Sequence, residues 1–585
     1  MAETLISPGV LARENDISFI APPALEAGAA IIGPTVKGPV EEPTIVTSYG
    51  EYQTIFGTTF TSGSTKQEYL TSLAVKSYFG QGGNSVLVTR VVTGSFTVGS
   101  SSTIAAQTGS ITDPFTLETL GKGTVFNNMT ASGTYAGTAE ENSDGSLKSG
   151  SADNLRWEIT NVNTNKGTFT LLVRRGDDAS KNKIILETFN DLSLDPNSSN
   201  YIEAAIGNQT KSIGTDGSQK YVSVSGEYVN KSKYIRVSAV NKQTLDYLST
   251  DGITVNVGSD LQSFSGSLPT NQSGSFHSAT GNLLGSTTGD TYFSNIGATS
   301  QGINQDEYAD AINILGNKDE YQFNIISAPG LIYQHHSTQL DSIISLAEDR
   351  GDCIAVVDLR TYGSTVAQVS SGANSLNTSY GAAYWPWLQT QASTGKNEFV
   401  PASVVIPGVY AFTDGAAAPW FAPAGLTRGG IPTVIQAERK LTRSQRDTLY
   451  NANVNPIATF PGSGISVFGQ KTLQKKSSAL DRVNVRRLLI ALKKFIGDVS
   501  RELVFEQNTN VTRNRFLAQV NPYLTSVVEQ QGLFAFRVVM DDTNNTSDVI
   551  DRNQLIGQIF IQPARTVEFV VLDFTIEPTG ATFGA

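Results

Sequence analysis

Apolar and polar positions along the chain fall into three kinds of pattern. The first occupies residues 27–92. Gly28, Ala29, Ala30, Ile31, Ile32 and Gly33 form a small, apolar run, and the turn pairs Gly33-Pro34 and Gly38-Pro39 bound it. Tyr69, Leu70, Leu73, Ala74 and Ser77 then recur at spacings of three and four, which predicts a helix over 67–80 ended by Gly80, Gly82 and Gly83. Val86, Leu87, Val88, Val91 and Val92 follow as a buried strand over 85–92. This opening piece reads as α/β.

The second pattern begins near Thr93 and runs to about residue 300. It is rich in Ser, Thr, Gly and Asn, with short alternating runs such as 168–174 and 220–224 and little helical spacing. Short alternating strands between turn residues predict one or two antiparallel β domains. Because α/β text flanks this region on both sides, it reads as an insertion.

The third pattern restores the α/β alternation. Helices are expected at 306–315 and 339–350, and strands at 323–327 and 353–358. Aromatic turns are expected at Tyr384-Trp385-Pro386-Trp387 and around Pro419-Trp420, and a helix over 436–450. The longest helix is predicted at 481–506, after which strands dominate at 534–540, 555–561 and 566–576.

Composition narrows the classes. A length of 585 residues suggests about four domains. Charged residues are only 16%, which argues against a disordered chain. Lys and Arg number 42 against 53 Asp and Glu, a net −11, so the chain as a whole is not expected to wrap nucleic acid. A single cysteine, Cys353, excludes an intrachain disulfide and a multi-cysteine zinc site. No basic leader precedes an apolar run at the start, and no run approaches a membrane span, so folding in a reducing cytoplasm without membrane insertion is expected.

Enzymatic signatures are missing. There is no phosphate loop, no His-Glu-x-x-His and no Gly-x-Ser-x-Gly elbow. His335-His336 lacks the i, i+4 spacing of helical metal ligands and reads as a surface or turn pair. Cys353 opens an apolar strand and reads as a small buried hydrophobe. Asp541-Asp542 with Asn544-Asn545 reads as a turn of Asx side chains, lacking the spacing of a calcium loop. The expectation is no catalytic site, no cofactor and no metal.

Two features carry stronger signals. In the 481–506 helix, Val485, Leu488, Leu489, Leu492, Phe495, Ile496, Val499 and Leu503 fall within an arc of about 120°. Arg482, Arg486, Arg487, Lys493, Lys494 and Arg501 occupy an opposed arc of about 140°. Nine basic residues lie between 471 and 501 against only Asp481 and Asp498. The basic arc is therefore expected to face water or an acidic protein partner, since the interleaved aromatics of a nucleic-acid platform are missing. The second feature is the pair of chain ends. Residues 1–20 look extended, and 566–576 carry Val567, Phe569 and Val571, then Leu572, Phe574 and Ile576, a strand-forming run. An apolar strand of this kind is a hazard unless paired, either in its own sheet or in a neighbour's.

The chain resembles the tail sheath proteins of contractile-tailed bacteriophages. The resemblance is carried by Ser7-Pro8-Gly9-Val10, by Gly33-Pro34 through Lys37-Gly38-Pro39, and by Pro419-Trp420 through Arg428-Gly429. It continues at Gln445-Arg446-Asp447 with Asn455-Pro456, at Asp481-Arg482-Val483-Asn484-Val485-Arg486-Arg487-Leu488, at Asp542 through Asn553, and at Ile561-Gln562-Pro563-Ala564-Arg565. It covers about 1–90 and 305–585.

What the resemblance implies is a multidomain α+β or α/β fold. A layered α/β core is built from both chain ends, with β-rich outer domains inserted and extended terminal arms. The implied divisions are an arm at 1–20, core at 21–92, insert at 93–304, core at 305–562 with a tube-facing basic helix at 481–506, and a strand and arm at 563–585. Subunits would form hexameric rings stacked helically around a tail tube, contracting to drive it through the host envelope. Expected partners are further copies of the chain, the tube protein, and baseplate and tail terminator proteins, in a virion tail assembled in the host cytoplasm. The tube contact carries over to Arg482, Arg486, Arg487, Lys493 and Lys494, with Arg513 and Arg515 as additions. The intersubunit arms carry over to Ser7, Pro8 and Val10 and to Val567, Phe569, Val571, Phe574 and Ile576. A phage-derived bacteriocin or cellular injection machine fits the same residues. A β-rich adhesin or glycan-binding protein, supported by 93–300 and Trp157, is the alternative from another class.

Overall fold

A computed structural model describes residues 27–62, 65–108, 113–128, 141–258, 261–283 and 299–568. The protein is a mixed α/β, multidomain chain with three separate hydrophobic cores.

The largest core surrounds an eight-stranded sheet. In chain order its strands are β1 (Ala27–Gly33), β2 (Thr44–Val46), β3 (Val86–Arg90), β4 (Phe323–Ile332), β5 (Ile354–Asp358), β6 (Gly381–Trp385), β7 (Val454–Phe460) and β8 (Gly464–Val467). In space the order is β2-β3-β1-β4-β5-β6-β7-β8. The six inner strands are parallel, and the outer strands β2 and β8 run antiparallel. Parallel strands are covered on both faces, so they read as unbroken apolar runs. Every residue of β3, β5 and β6 is buried.

The helix α1 (Leu70–Gly80) packs on β1. Small residues permit this close approach. A Cβ at Gly28 would lie 2.1 Å from the Tyr78 hydroxyl, and one at Gly33 2.3 Å from Thr71 Oγ1. No side chain of its own caps α1. Gln301 supplies the cap from far along the chain, its Oε1 accepting the Leu70 N–H at 2.7 Å. The helix α2 (Ser337–Arg350) ends on Gly351 at φ 70°, the left-handed position that glycine takes freely.

The second core lies in a seven-stranded, wholly antiparallel sheet drawn from residues 98–277. Its alternation is clear in Phe115–Lys122, where buried and half-buried residues alternate strictly. Trp157 is fully buried there and donates its indole N–H to the Ser275 carbonyl at 3.3 Å. It therefore offers no exposed ring for a sugar, which removes one of the two supports of the adhesin reading. The excursion leaves the large sheet after β3 and returns near Ile303. Asn304 N–H donates to Thr93 Oγ1 at 3.0 Å and closes its neck.

Several expectations are corrected. The 436–450 segment begins with a strand, Val434–Ala437, and its helix starts only at Arg443, where Thr442 and Gln445 form a capping box. Tyr384 and Trp385 are buried strand residues rather than turn residues. His335 is exposed but His336 is buried, its Nδ1 accepting the Ile332 N–H at 2.9 Å. A twenty-residue helix, Asn510–Glu529, stands between the predicted 481–506 helix and the predicted strands, where no element was assigned.

Candidate functional site

The third core is small and sits where the basic helix was predicted. The helix α3 (Val483–Arg501) and the helix α4 (Asn510–Glu529) pack together, and a hairpin of β9 (Leu533–Val539) and β10 (Gln558–Pro563) lies against them. Leu488, Leu492, Val499 and Leu503 from the predicted apolar arc meet Phe516, Val520, Leu524 and Val527 of α4. Phe495 stacks on Tyr523 with centroids 3.8 Å apart.

The hairpin is open. β9 and β10 pair antiparallel with each other and with no other strand among the described residues. Phe536, Val538, Ile559 and Ile561 pack into the third core. Phe534 and Phe560 remain 71% and 56% exposed. Both outer edges thus present backbone donors and acceptors beside uncovered aromatic rings. A two-stranded ribbon of this kind is marginal alone and is completed by added strands.

The basic arc behaves otherwise than expected. Arg486 and Arg487 do not face water; they are 4% and 3% exposed. Arg486 donates to Ser379 Oγ, and its guanidinium lies 4.0 Å over the Tyr380 ring. Burial pushes its pKa down, and the Tyr380 hydroxyl acts against that shift. Arg487 pairs with Asp414 and lies 4.7 Å over Tyr410. These two charges are spent inside the chain, because the facing strands and loops supply aromatic faces and a carboxylate. Their partners stand some seventy to a hundred positions away in sequence, so helical spacing could not reveal them.

Arg482 is half-buried and also engaged. Its Nε and Nη2 donate to the two Glu568 oxygens at 2.7 and 3.0 Å, and Asp481 lies at 3.0 Å. Tyr450 Oη donates to Glu568 Oε2 at 2.6 Å, and Gln470 Nε2 to Oε1 at 3.1 Å. Burial pushes the Glu568 carboxyl up, but the Arg482, Tyr450 and Gln470 hydrogen bonds outweigh it and hold the pKa below its usual value. Glu568 thereby pins the segment after β10 to the body, while Val567 beside it is 82% exposed. Lys493 is exposed and donates to the Tyr380 hydroxyl at 3.3 Å. Lys494 lines a shallow apolar groove with Ile490, Phe495 and Asp498. Arg513 is buried against Asp542 at 2.6 Å, and Arg515 is exposed near Glu502 at 3.7 Å. Ser7, Pro8, Val10, Phe569, Val571, Phe574 and Ile576 lie outside the described residues.

Cys353 is buried, and burial raises its thiol pKa. The Asp541–Asn545 segment is an Asx turn, Asp541 Oδ1 accepting the Thr543 N–H at 2.9 Å and Asn544 Oδ1 the Asp541 N–H at 3.0 Å. Among the described residues no helix is long and apolar enough to cross a membrane.

The class that this fold defines is a mixed α/β body carrying a β-rich insert, and it has a solved counterpart. The crystal structure of the sheath tail protein from Listeria innocua is similar over 92% of this chain and 96% of that one, at a TM-score of 0.50 and 10% identity, which indicates a shared fold. Residues 301–473 match the family described as phage tail sheath protein central domain, and 475–577 match the phage tail sheath C-terminal domain. The tail sheath protein of Vibrio phage KVP40 is 41% identical over 188 residues, and that of Enterobacteria phage T4 is 40% identical over 187. Each of these matches covers 32% of this chain and 28% of the relative's length. The two family matches fall together on residues 301–577, the part of the chain that is similar to phage tail sheath proteins.

Proposed function

We propose that the chain is a structural subunit of a contractile tail sheath, polymerising as stacked hexameric rings around a tail tube. Contraction of that lattice drives the tube through the host envelope. The observation that carries this reading is the β9–β10 hairpin, whose two edges, unpaired among the described residues, and exposed Phe534 and Phe560 suit strands donated by neighbouring copies. The segments 1–20 and 563–585 are the proposed donors. Strand exchange of this kind links each copy to the next head-to-tail, as a helical lattice needs.

In this reading the eight-stranded body forms the layered core, and residues 93–304 project outward. The tube contact narrows to the exposed Lys493 and the groove-lining Lys494, with the exposed Arg515 of α4 as an addition, since Arg486 and Arg487 are buried. Lysines that pair weakly one by one but recur around every ring make an attachment that contraction can release. Baseplate and tail terminator proteins complete the partners, and assembly takes place in the host cytoplasm. The subunit's role is mechanical rather than catalytic.

Electron microscopy of the purified protein tests the reading. Helical tubes or stacked rings are expected, and deletion of 1–20 or of 569–585 is expected to abolish them while the body stays folded. Monomers that persist at high concentration overturn it.

A further inference from the structure

Among the described residues the insert and the body have separate hydrophobic cores, and a crevice opens between them. Its accessible volume is about 290 Å³. Five cationic side chains line it (Lys37, Lys122, Lys211, Lys233 and Arg236) against two carboxylates, Glu42 and Glu51. Three of the cations are already matched. Lys37 pairs with Asp153 at 3.0 Å, Lys211 with Glu42, and Arg236 with Glu118 at 2.7 Å. Glu51 is spent on the Thr47 N–H and hydroxyl, at 2.9 and 2.8 Å.

Lys122 and Lys233 are left without an ion-pair partner among the described residues. Lys122 is only half-exposed, and burial lowers its pKa, with Arg236 and Arg90 adding repulsion against the attraction of Glu42 and Glu41. Its position is fixed from both sides. Its N–H donates to the Gly38 carbonyl at 3.1 Å, and its carbonyl accepts from the buried Arg90 guanidinium at 2.8 Å. This partly desolvated ammonium, on a backbone held at both its N–H and its carbonyl, sits in a cleft where cations outnumber carboxylates and has no ion-pair partner among the described residues. Clefts between domains are where small ligands are commonly held.

We propose that this crevice is a binding site for a small, multiply charged anion, held by Lys122 and Lys233 with Lys37 and Arg236 at its margin. Polyphosphates and polycarboxylates share the required chemistry. An anion seated there touches the body through Lys37 and the insert through Lys122, Lys233 and Arg236, and so fixes their relative orientation. Charge-assisted hydrogen bonds of this type are the strong ones.

The test uses the full chain, titrated by calorimetry with tripolyphosphate or with citrate, against sodium chloride at matched ionic strength. Saturable binding is expected, weakened about tenfold in Lys122→Gln/Lys233→Gln. The exposed Lys233→Gln alone is expected to weaken it measurably while leaving the fold untouched, which covers the case that the double variant does not fold. Lys476→Gln, an exposed residue of the body that does not line the crevice, should bind as the parent does. Preference for tripolyphosphate over citrate, or the reverse, identifies the anion class. No saturable binding of either anion, or binding unchanged in the lysine variants, overturns the proposal.

Discussion

Asp358 ends β5 with its carboxyl fully buried, accepting the Ser403 N–H at 3.1 Å and the Ser403 hydroxyl. Burial pushes its pKa up to about 7 from an ordinary 3.8, and the Ser403 hydrogen bonds only partly oppose this. The folded state therefore holds a proton that the unfolded chain releases. Stability falls as pH rises from about 4 to about 7, and is level above that. Asp358→Asn should flatten this part of the profile in urea melts followed across pH, and should raise stability most above pH 7. A parent profile that stays flat from pH 4 to 7 would contradict the assignment. Arg487 makes the opposite case, a buried cation whose partner is fixed. Arg487→Ala strands Asp414 and should cost about 3 kcal/mol in chemical denaturation. Lys493→Ala, on the exposed side of the same helix, should stay within about 0.5 kcal/mol of the parent. The two residues are alike in the sequence pattern, and only the distant Asp414 and Tyr410 distinguish them.

At the scale of elements, the strands of the large sheet were legible because parallel strands buried on both faces read as apolar runs, as β1, β3 and β5 do. The helix α3 was legible for a different reason. Its apolar residues segregate to one side, although it stops at Arg501 rather than Glu506. The helix α4 was missed although Phe516, Val520, Leu524 and Val527 repeat at four and three. Pro522 inside it removes one backbone hydrogen bond, and the packing of that stripe against α3 overrides the loss. The hairpin was legible as strands but not as an open ribbon, since edge status depends on topology. Phe560→Ser should leave the monomer's melting nearly unchanged, because the ring is exposed, and should reduce polymer yield in sedimentation. Unaltered polymerisation would mean that this face is not where neighbouring copies join.

At the scale of the molecule, the body and insert meet through polar contacts such as Lys37–Asp153, Lys220–Asp310 and the Arg90–Lys122 hydrogen bond. Polar seams of this type are weakened by salt and yield before apolar cores do. Hydrogen exchange at high ionic strength should therefore quicken first along this seam, while amides of β1 and β4 stay protected. Simultaneous loss of protection in both would show that the two parts unfold as one.

The neck at Thr93 and Asn304 has a consequence of its own. The chain departs beside β1 on one flank and comes home beside it on the other, with one hydrogen bond across the gap. What lies between is a cartridge, except for Gln301 at its end, which caps α1. Its length and architecture can be traded for another's, because the pairing of β1 with β3 and β4 does not pass through it. A lineage could in this way exchange the inserted domain repeatedly while keeping the same eight-stranded body.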